Sequence, residues 1–454
     1  MKQQRPARPL WRELLALAVP LAAVQVGASF LGVIDTAVVG RTTPEQLAAV
    51  GLGNSLLFAV TIIGMGLVLG SEPIIAQALG ANDPLRARRA FRQGMWAALL
   101  ATPPILLVIA LALVALPAAG VDATVVPHVR SYVIARSAAV LPFLVYWAIK
   151  AWLQAQGRTT APVVGVVVAN VAELALALAL VTPFGVVGVG LAHAVTTTLR
   201  LVIVAVAAER ALADGTLAGE AAPASLAERA RRMRAALRTD ELWQLVRIGL
   251  PLGLQMALEV AVFAFAALTM GQLGAHELAA HQVAIQCAST TFNIMVGLGS
   301  AASVVVGRRI GAGDRAGALR AGLVALALST VVMVATGALF LFAGAPLARA
   351  LTDQAEVVAL AAALLAVAAA FQLSDGLQAV ASGALRGAGD TRATFVIHLF
   401  AHWAVGLPCV LWLAKRWGPA GVWWGLTFGL VVASVALVAR FVVRGRRGFV
   451  ALAR

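Results

Sequence analysis

Residues 356–378 read EVVALAAALLAVAAAFQLSDGLQ, a run that is almost entirely apolar until it reaches Gln372, Asp375 and Gln378. With its continuation to residue 382, the run is long enough to cross a hydrocarbon core of about 30 Å as a helix. An aspartate at the centre of a bilayer costs about 2.5 to 3.5 kcal/mol on insertion scales. The stretch therefore predicts a membrane-spanning helix that keeps an ionisable group for a functional reason.

Apolar runs of this length recur along the whole chain. Of its 454 residues, 61% are hydrophobic and 12% are charged, whereas about 25% of the residues in a soluble domain are charged. A membrane β-barrel would show short alternating segments instead. We predict an all-α integral membrane protein with twelve transmembrane helices, at residues 12–38, 48–74, 93–117, 131–153, 160–182, 187–208, 243–270, 279–306, 318–345, 356–382, 393–414 and 419–442.

Arginines in the short loops account for much of the formal net charge of +15. Such residues gather on the cytoplasmic side of membrane proteins, so they predict an orientation rather than a nucleic-acid partner. Both termini and the loops that contain residues 86–92 and 308–320 are expected in the cytoplasm, with the lipid bilayer around the spans. Lys415 and Arg416 fall on the other side and are the main exception.

The two halves of the chain resemble each other on either side of a polar segment, residues 209–241. LAVPLAAVQ around Pro20 matches IGLPLGLQM around Pro251, 231 residues later, and ALGANDPLRARRA matches RIGAGDRAGALRA at the same offset. Each half holds an even number of spans, so the halves are parallel repeats, as in some secondary transporters. We predict an N-lobe at 1–210 with helices 1–6, a cytoplasmic linker at 211–242, and a C-lobe at 243–454 with helices 7–12.

Polar residues inside the spans are the candidate functional residues, because they are costly to bury in a membrane. Asp35, Glu259 and Asp375 are predicted to couple a cation or a proton, since a structural hydrogen bond does not require an ionisable group. The other candidates form an N-lobe pocket of Asn170, Glu173, His193 and Thr197, and a C-lobe pocket of Phe371, Gln378, His398 and His402.

Carboxylates of this kind suit two coupling ions. A buried carboxylate close to a second one can exchange a proton near neutral pH, and the same oxygens would suit Na⁺, with a sodium site expected at Glu259 and Asp375. His398 and His402 have the i, i+4 spacing of metal ligands, but without further ligands we favour a packed or proton-sharing pair. We expect no cofactor and no catalytic residues.

Four segments resemble the signature motifs of the multidrug and toxic compound extrusion family, and in particular its bacterial NorM-type branch. They are FLGVIDTAVVGRTTPEQLAAVGLGNS, GSEPIIAQALGANDPLRARRA, LAAHQVAIQ and SDGLQAVASGALRGAGDTR. The resemblance implies two six-helix lobes in a V shape, in a bacterial inner membrane. It also implies a multidrug efflux antiporter that exports cationic or amphipathic compounds in exchange for H⁺ or Na⁺ by alternating access. Asp35 would then serve the N-lobe, and Glu259 and Asp375 the C-lobe.

The chain departs from this family pattern at two places. Phe371 stands where NorM-type proteins can carry a tyrosine one turn before the second acid, and Leu174 stands four residues after Asn170 where the family often has Asp or Asn. The alternatives are a lipid-linked oligosaccharide flippase of the same superfamily and a membrane-embedded transferase. No GxxxxGK[ST] phosphate-binding loop is present, and we expect a monomer.

Overall fold

The computed structural model describes residues 9–40, 42–213 and 237–452, and every regular element in these ranges is a helix. The predicted linker at 211–242 lies for the most part outside them. The first half contains α1 (Leu10–Val39), α2 (Pro44–Leu69), α3 (Ser71–Gly80), α4 (Pro84–Ala115), α5 (Val126–Ser137), α6 (Val140–Ala155) and α7 (Thr160–Ala213). The second half contains α8 (Thr239–Leu273), α9 (Ala275–Gly311), α10 (Arg315–Arg349), α11 (Ala355–Gly387), α12 (Thr391–His398), a π-helical segment (Leu399–Gly406) and α13 (Leu407–Arg447).

Nine helical stretches of the described chain are long and apolar enough to cross a membrane, and the bent pair of α5 and α6 makes a tenth. Two of the nine, Thr160–Leu212 and Thr391–Arg447, contain 53 and 57 residues, about twice what one crossing needs. Each is broken by a glycine with non-helical backbone angles, Gly185 or Gly418. Counting each as two spans gives the predicted twelve.

The fourth predicted span is two helices rather than one. Helices α5 and α6 meet at an angle of 43°, with Ala138 and Ala139 between them. Pro142 explains the break, because it has no N–H to donate to the carbonyl of Ala138 four residues earlier.

The repeat seen in the sequence is present in the backbone. Asp83 and Asp314 begin α4 and α10, and each side chain accepts a hydrogen bond from a backbone N–H three residues later, at 2.9 and 2.7 Å. At the two broken spans, Gly185 has φ 55° and ψ −135°, and Gly418 has φ 59° and ψ −136°. These backbone angles favour glycine, so the two halves turn back by the same local geometry.

The described chain divides into two compact units. One contains the described residues of Met1–Ala22 and Leu258–Arg454, in which α11 packs against α9, α10 and α13. The other is Ala23–Ala257, in which α2 and α6 each pack against α4 and α7. The chain therefore passes from one unit to the other within α1 and again within α8.

Glycines lie where the first part of α8 packs within unit Ala23–Ala257 and where the first part of α1 packs within the other unit. In unit Ala23–Ala257, a side chain on Gly66 of α2 would lie 2.2 Å from the Cα of Gly253 at the start of α8. In the other unit, a side chain on Gly297 of α9 would lie 2.4 Å from the backbone of Ala22 in α1. Small residues allow such close helix contacts in membranes. The two contacts are repeat equivalents, so each unit is completed by the start of the other repeat's first helix.

Candidate functional site: two intramembrane polar clusters

Asp35, near the end of α1, lies at the centre of the first cluster. Its side chain is fully buried, and its Oδ2 lies 3.3 Å from Nη1 of Arg136, 3.4 Å from Oη of Tyr132 and 3.6 Å from Nδ1 of His193. The second oxygen, Oδ1, has no hydrogen-bond partner in the described part of the protein. The predicted coupling residue is thus already paired with an arginine.

Glu173 and His193 come together because α7 turns back at Gly185, where Gly188 packs directly on the carbonyl of Leu180. His193 Nδ1 lies 3.7 Å from Oε2 of Glu173, the same oxygen that accepts a hydrogen bond from Thr196. Glu173, His193 and Asp35 each have one possible metal-ligand atom, and these three atoms lie within 4.8 Å of one another. The Arg136 guanidinium in the same space disfavours a second cation there, and we assign no metal site to them.

Arg136 and Tyr132, one turn apart on α5, complete this group, and the sequence analysis did not include them. Arg136 donates to Tyr132, and its Nη2 lies 3.2 Å from Nε2 of His193. Tyr132 in turn lies 2.7 Å from Oδ1 of Asn54 on α2. Both fall inside the predicted span 131–153, where the rule that marks intramembrane charges as functional would have identified Arg136. We call Asp35, Asn54, Tyr132, Arg136, Glu173 and His193 the N-terminal cluster.

Two residues predicted for the N-lobe pocket make different contacts. Asn170 donates to the backbone carbonyls of Gly27 at 2.9 Å and Val166 at 2.8 Å, so it ties α7 to α1. Thr197 is buried, and its hydroxyl has no hydrogen-bond partner among the described residues. The structure therefore brings Glu173 and His193 to Asp35 but gives Asn170 a backbone contact instead.

Glu259, Asp375 and Gln378 form the second group, the C-terminal cluster. Asp375 and Gln378 lie one turn apart on α11, and the Gln378 amide nitrogen lies 2.8 Å from Oε1 of Glu259 on α8 and 3.4 Å from Oδ1 of Asp375. Within the described ranges, neither carboxylate forms an ion pair with arginine or lysine. The two acids therefore share one neutral donor.

Phe371, one turn before Asp375, is 1% exposed and forms an apolar wall. Its ring meets Phe263 and Trp423 edge-on, with centroids 6.2 and 5.6 Å apart, and Trp423 meets His281 at 5.7 Å. The side chain thus offers ring surface where a tyrosine would offer an oxygen ligand.

His398 and His402 lie at the π-helical segment, with ring centroids 5.4 Å apart. Nε2 of His398 is 3.0 Å from the hydroxyl of Ser382 on α11. Ser382 follows Gln378 by four residues and shares its helix face, so the pair lies about one turn along α11 from the C-terminal cluster. π-Helical segments such as this one are often found at functional sites.

Comparisons with known proteins agree with this architecture. The sequence model of the MatE family matches residues 20–179 and again 251–412, so its two matches begin at the repeat-equivalent prolines. The chain is 34% identical to the probable multidrug resistance protein NorM of Mesorhizobium japonicum over 97% of its own length and 96% of the relative. It is 35% identical to the protein of the same name from Deinococcus radiodurans, over 96% of both chains.

A solved structure shares the fold. The eukaryotic MATE transporter AtDTX14 superposes with a TM-score of 0.83 at 22% identity, over 96% of this chain and 97% of that one. The predicted family and all-helical membrane fold are confirmed, and the relatives are named for multidrug resistance and transport rather than for a chemical reaction. With two family matches and NorM relatives along nearly its whole length, the chain belongs to the MatE family, the multidrug and toxic compound extrusion family, and to its bacterial NorM type.

Proposed function

We propose that this protein is a secondary active antiporter that exports cationic or amphipathic compounds in exchange for H⁺ or Na⁺. The observation that carries the proposal is a pair of carboxylates within the helices of each unit. Asp35 and Glu173 are both buried, and the half-buried Glu259 shares the Gln378 amide with the buried Asp375. Buried acids in a membrane respond strongly to the binding of one positive charge. The names of the relatives, multidrug resistance proteins, support small-molecule drugs as the substrate class.

The C-terminal cluster is the better suited of the two to bind a free ion. Glu259 and Asp375 share the single amide donor of Gln378. Among the described residues, an incoming ion would therefore meet two acids that form no ion pair with arginine or lysine. Carboxylate oxygens suit both H⁺ and Na⁺. Phe371 contributes no oxygen ligand, which favours H⁺ over Na⁺.

Alternating access couples this binding to transport. An ion that binds the outward-open state neutralises a carboxylate and weakens its attraction for a cationic substrate, which then leaves. After the ion departs to the cytoplasm, the ionised acids attract the next substrate. For a neutral substrate, one monovalent ion that crosses 100 mV supplies about 2.3 kcal/mol, enough for a gradient of tens-fold at most, because 1.4 kcal/mol is about tenfold. Export of a monovalent cation in exchange for one ion is electroneutral and draws on the chemical gradient of the ion alone.

The orientation follows the arginines of segments 86–92 and 308–320, which the structure places mainly at helix ends rather than in loops. We place both termini and these two segments on the cytoplasmic side of a bacterial inner membrane. In this orientation the Asp35 end of α1 lies toward the outer side, since α1 starts at Leu10 near the N-terminus.

The test is efflux of a fluorescent lipophilic cation from vesicles with an imposed ΔpH or ΔNa⁺. We expect the parent to be driven by at least one gradient, and Asp35→Asn, Glu259→Gln and Asp375→Asn each to lose most of that transport. Asp122→Asn, an exposed loop carboxylate, is the matched control. Transport that survives collapse of both gradients would rule out antiport, and normal transport by all three variants would rule out these coupling residues.

A further inference from the structure

The imidazole of His193 lies between a guanidinium and two carboxylates, and this placement fixes its protonation. Arg136 Nη2 is 3.2 Å from Nε2 of His193. A guanidinium has only N–H donors, so Nε2 must act as the acceptor and carry no hydrogen. His193 is then neutral, with its proton on Nδ1, which lies 3.6 Å from Asp35 Oδ2 and 3.7 Å from Glu173 Oε2.

Asp35 is paired with the positive charge of the cluster. Arg136 Nη1 lies 3.3 Å from its Oδ2, and both side chains lie largely within the protein, with 17% of the Arg136 side chain exposed. An opposite charge at this distance stabilises the ionised form of a carboxyl group. Asp35 and Arg136 together are therefore a neutral ion pair that has little tendency to take up a proton.

Glu173 has different neighbours. It accepts from the Thr196 hydroxyl and faces the His193 Nδ1–H, and in the described part of the chain no arginine or lysine forms an ion pair with it. With His193 neutral, the two acids and Arg136 sum to one negative charge. That excess charge resides on Glu173.

Arg200 is the other cation near this region. It follows His193 by seven residues on the same face of α7, about 10 Å further along the helix. Its guanidinium packs over the Tyr146 ring at 4.2 Å. Arg200 therefore faces Tyr146. The groups around Glu173 are Asp35 from α1, Tyr132 and Arg136 from α5, and His193 with Thr196 from α7 itself, while Asn54 of α2 is neutral.

We propose that Glu173, and not Asp35, is the group of the N-terminal cluster that takes up the coupling proton, and that Arg136 determines this by holding Asp35 in a neutral ion pair. The inference rests on the proposed antiport function and refines the role given there to Asp35. Arg136 is a positioning residue that sets which acid stays ionised and which one exchanges the proton.

Variants of the pair separate this assignment from the one in which Asp35 binds the proton. Asp35→Asn alone leaves Arg136 free to neutralise Glu173, so both assignments expect transport to fail. Asp35→Asn combined with Arg136→Gln removes the neutral pair and leaves Glu173 with its single negative charge. Only the Glu173 assignment expects the double variant to regain ΔpH-driven efflux.

The measurement is initial efflux of the fluorescent cation from vesicles driven by ΔpH, normalised to the amount of protein in the membrane. We expect Asp35→Asn to fall at least about tenfold, equivalent to about 1.4 kcal/mol, and the double variant to recover most of that loss. A double variant as inactive as Asp35→Asn, with normal membrane levels and a monodisperse elution profile, would overturn the inference. If the parent itself shows no gradient-dependent efflux, the proposed function fails instead.

A second variant keeps the inference testable if the double variant does not fold. Glu173→Gln leaves the Asp35–Arg136 pair intact, so we expect ΔpH-driven efflux to fall to the level of Asp35→Asn. Efflux at the parental level would overturn the assignment. Arg130→Gln, an exposed arginine on the same helix as Arg136, is the control for loss of a charge from α5.

Discussion

The N-terminal and C-terminal clusters each hold two acids inside the helices, but they balance the charge differently. In the first, Asp35 is held by the Arg136 guanidinium at 3.3 Å. In the second, Glu259 and Asp375 share the neutral amide of Gln378. The Arg136 guanidinium reduces the net negative charge of the first cluster by one, whereas the second keeps whatever negative charge its two acids carry. We therefore expect the two pairs of carboxylates to respond differently to an incoming ion.

The difference did not come from the duplicated scaffold. At the repeat offset of 231 residues, the equivalent of Asp35 is Ala266 and the equivalent of Glu259 is Ala28. Caps and glycine turns match between the halves, but the charged residues occupy different positions, even where, as with Asp35 on α1 and Glu259 on α8, they lie on equivalent helices. The repeat therefore predicts where chains turn and not where charges lie.

Arg136→Ala should have the largest effect on stability, because it leaves Asp35 and Glu173 buried without their cation. Breaking a buried ion pair from one side costs about 3–5 kcal/mol, which would appear as a lower thermal midpoint of the detergent-purified protein. Arg130→Ala on the same helix should change the midpoint much less. Equal midpoints for the two variants would mean that Arg136 is not the cation of the N-terminal cluster.

Gln378→Leu should cost less, since it removes a neutral donor rather than a charge. Loss of one partner of a buried polar group costs about 1–3 kcal/mol, and the same thermal measurement would report it. Gln354→Leu, at an exposed position just before α11, provides the comparison. A loss as large as that of Arg136→Ala would remove the contrast between the clusters.

Phe371→Tyr tests the choice of ion in the C-terminal cluster. The new hydroxyl would lie one turn before Asp375, and one added polar contact is worth about 0.5–1.5 kcal/mol. We expect ΔNa⁺-driven efflux to rise about two- to tenfold relative to ΔpH-driven efflux, while Phe263→Tyr serves as the control in the same aromatic group. An unchanged ratio would show that the missing oxygen at residue 371 does not limit Na⁺ coupling.

We expect the smallest effect from a substitution of Asp122, an exposed acid in the loop before α5. The hydroxyl and amide of Thr124 donate to it and lower the pKa of the Asp122 carboxyl below its ordinary value. The resulting stabilisation is present above the unfolded pKa and is lost as the pH falls through the lowered value. We expect Asp122→Asn to leave efflux and thermal midpoint unchanged between pH 6 and 8, and a shift there would contradict this assignment.

The sequence predicted the features that depend on local pattern. Span lengths follow from hydropathy, and the predicted spans end on either side of Gly185 and next to Gly418, where the structure shows the breaks. The choice of candidate acids follows from the cost of burying charge and stays a prediction. The bend before Pro142 and the charge of Arg136 within a span also have signals in the sequence, a proline and an intramembrane arginine. The meeting of Asp35, Arg136 and His193 could not be predicted, because it requires the packing of α1, α5 and α7, which no spacing along the chain encodes.

The exchange of helix starts between the two units constrains the order in which the protein can fold. Membrane helices insert first and pack afterwards, and synthesis delivers the N-terminal half before the rest. The backbone of Gly253 in α8, which packs against Gly66 of α2, and that of Gly297 in α9, which packs against Ala22 of α1, are both made in the second half of synthesis. Both units therefore remain incompletely packed until the second half has entered the membrane, so native packing of the N-terminal half is a late, post-insertion event.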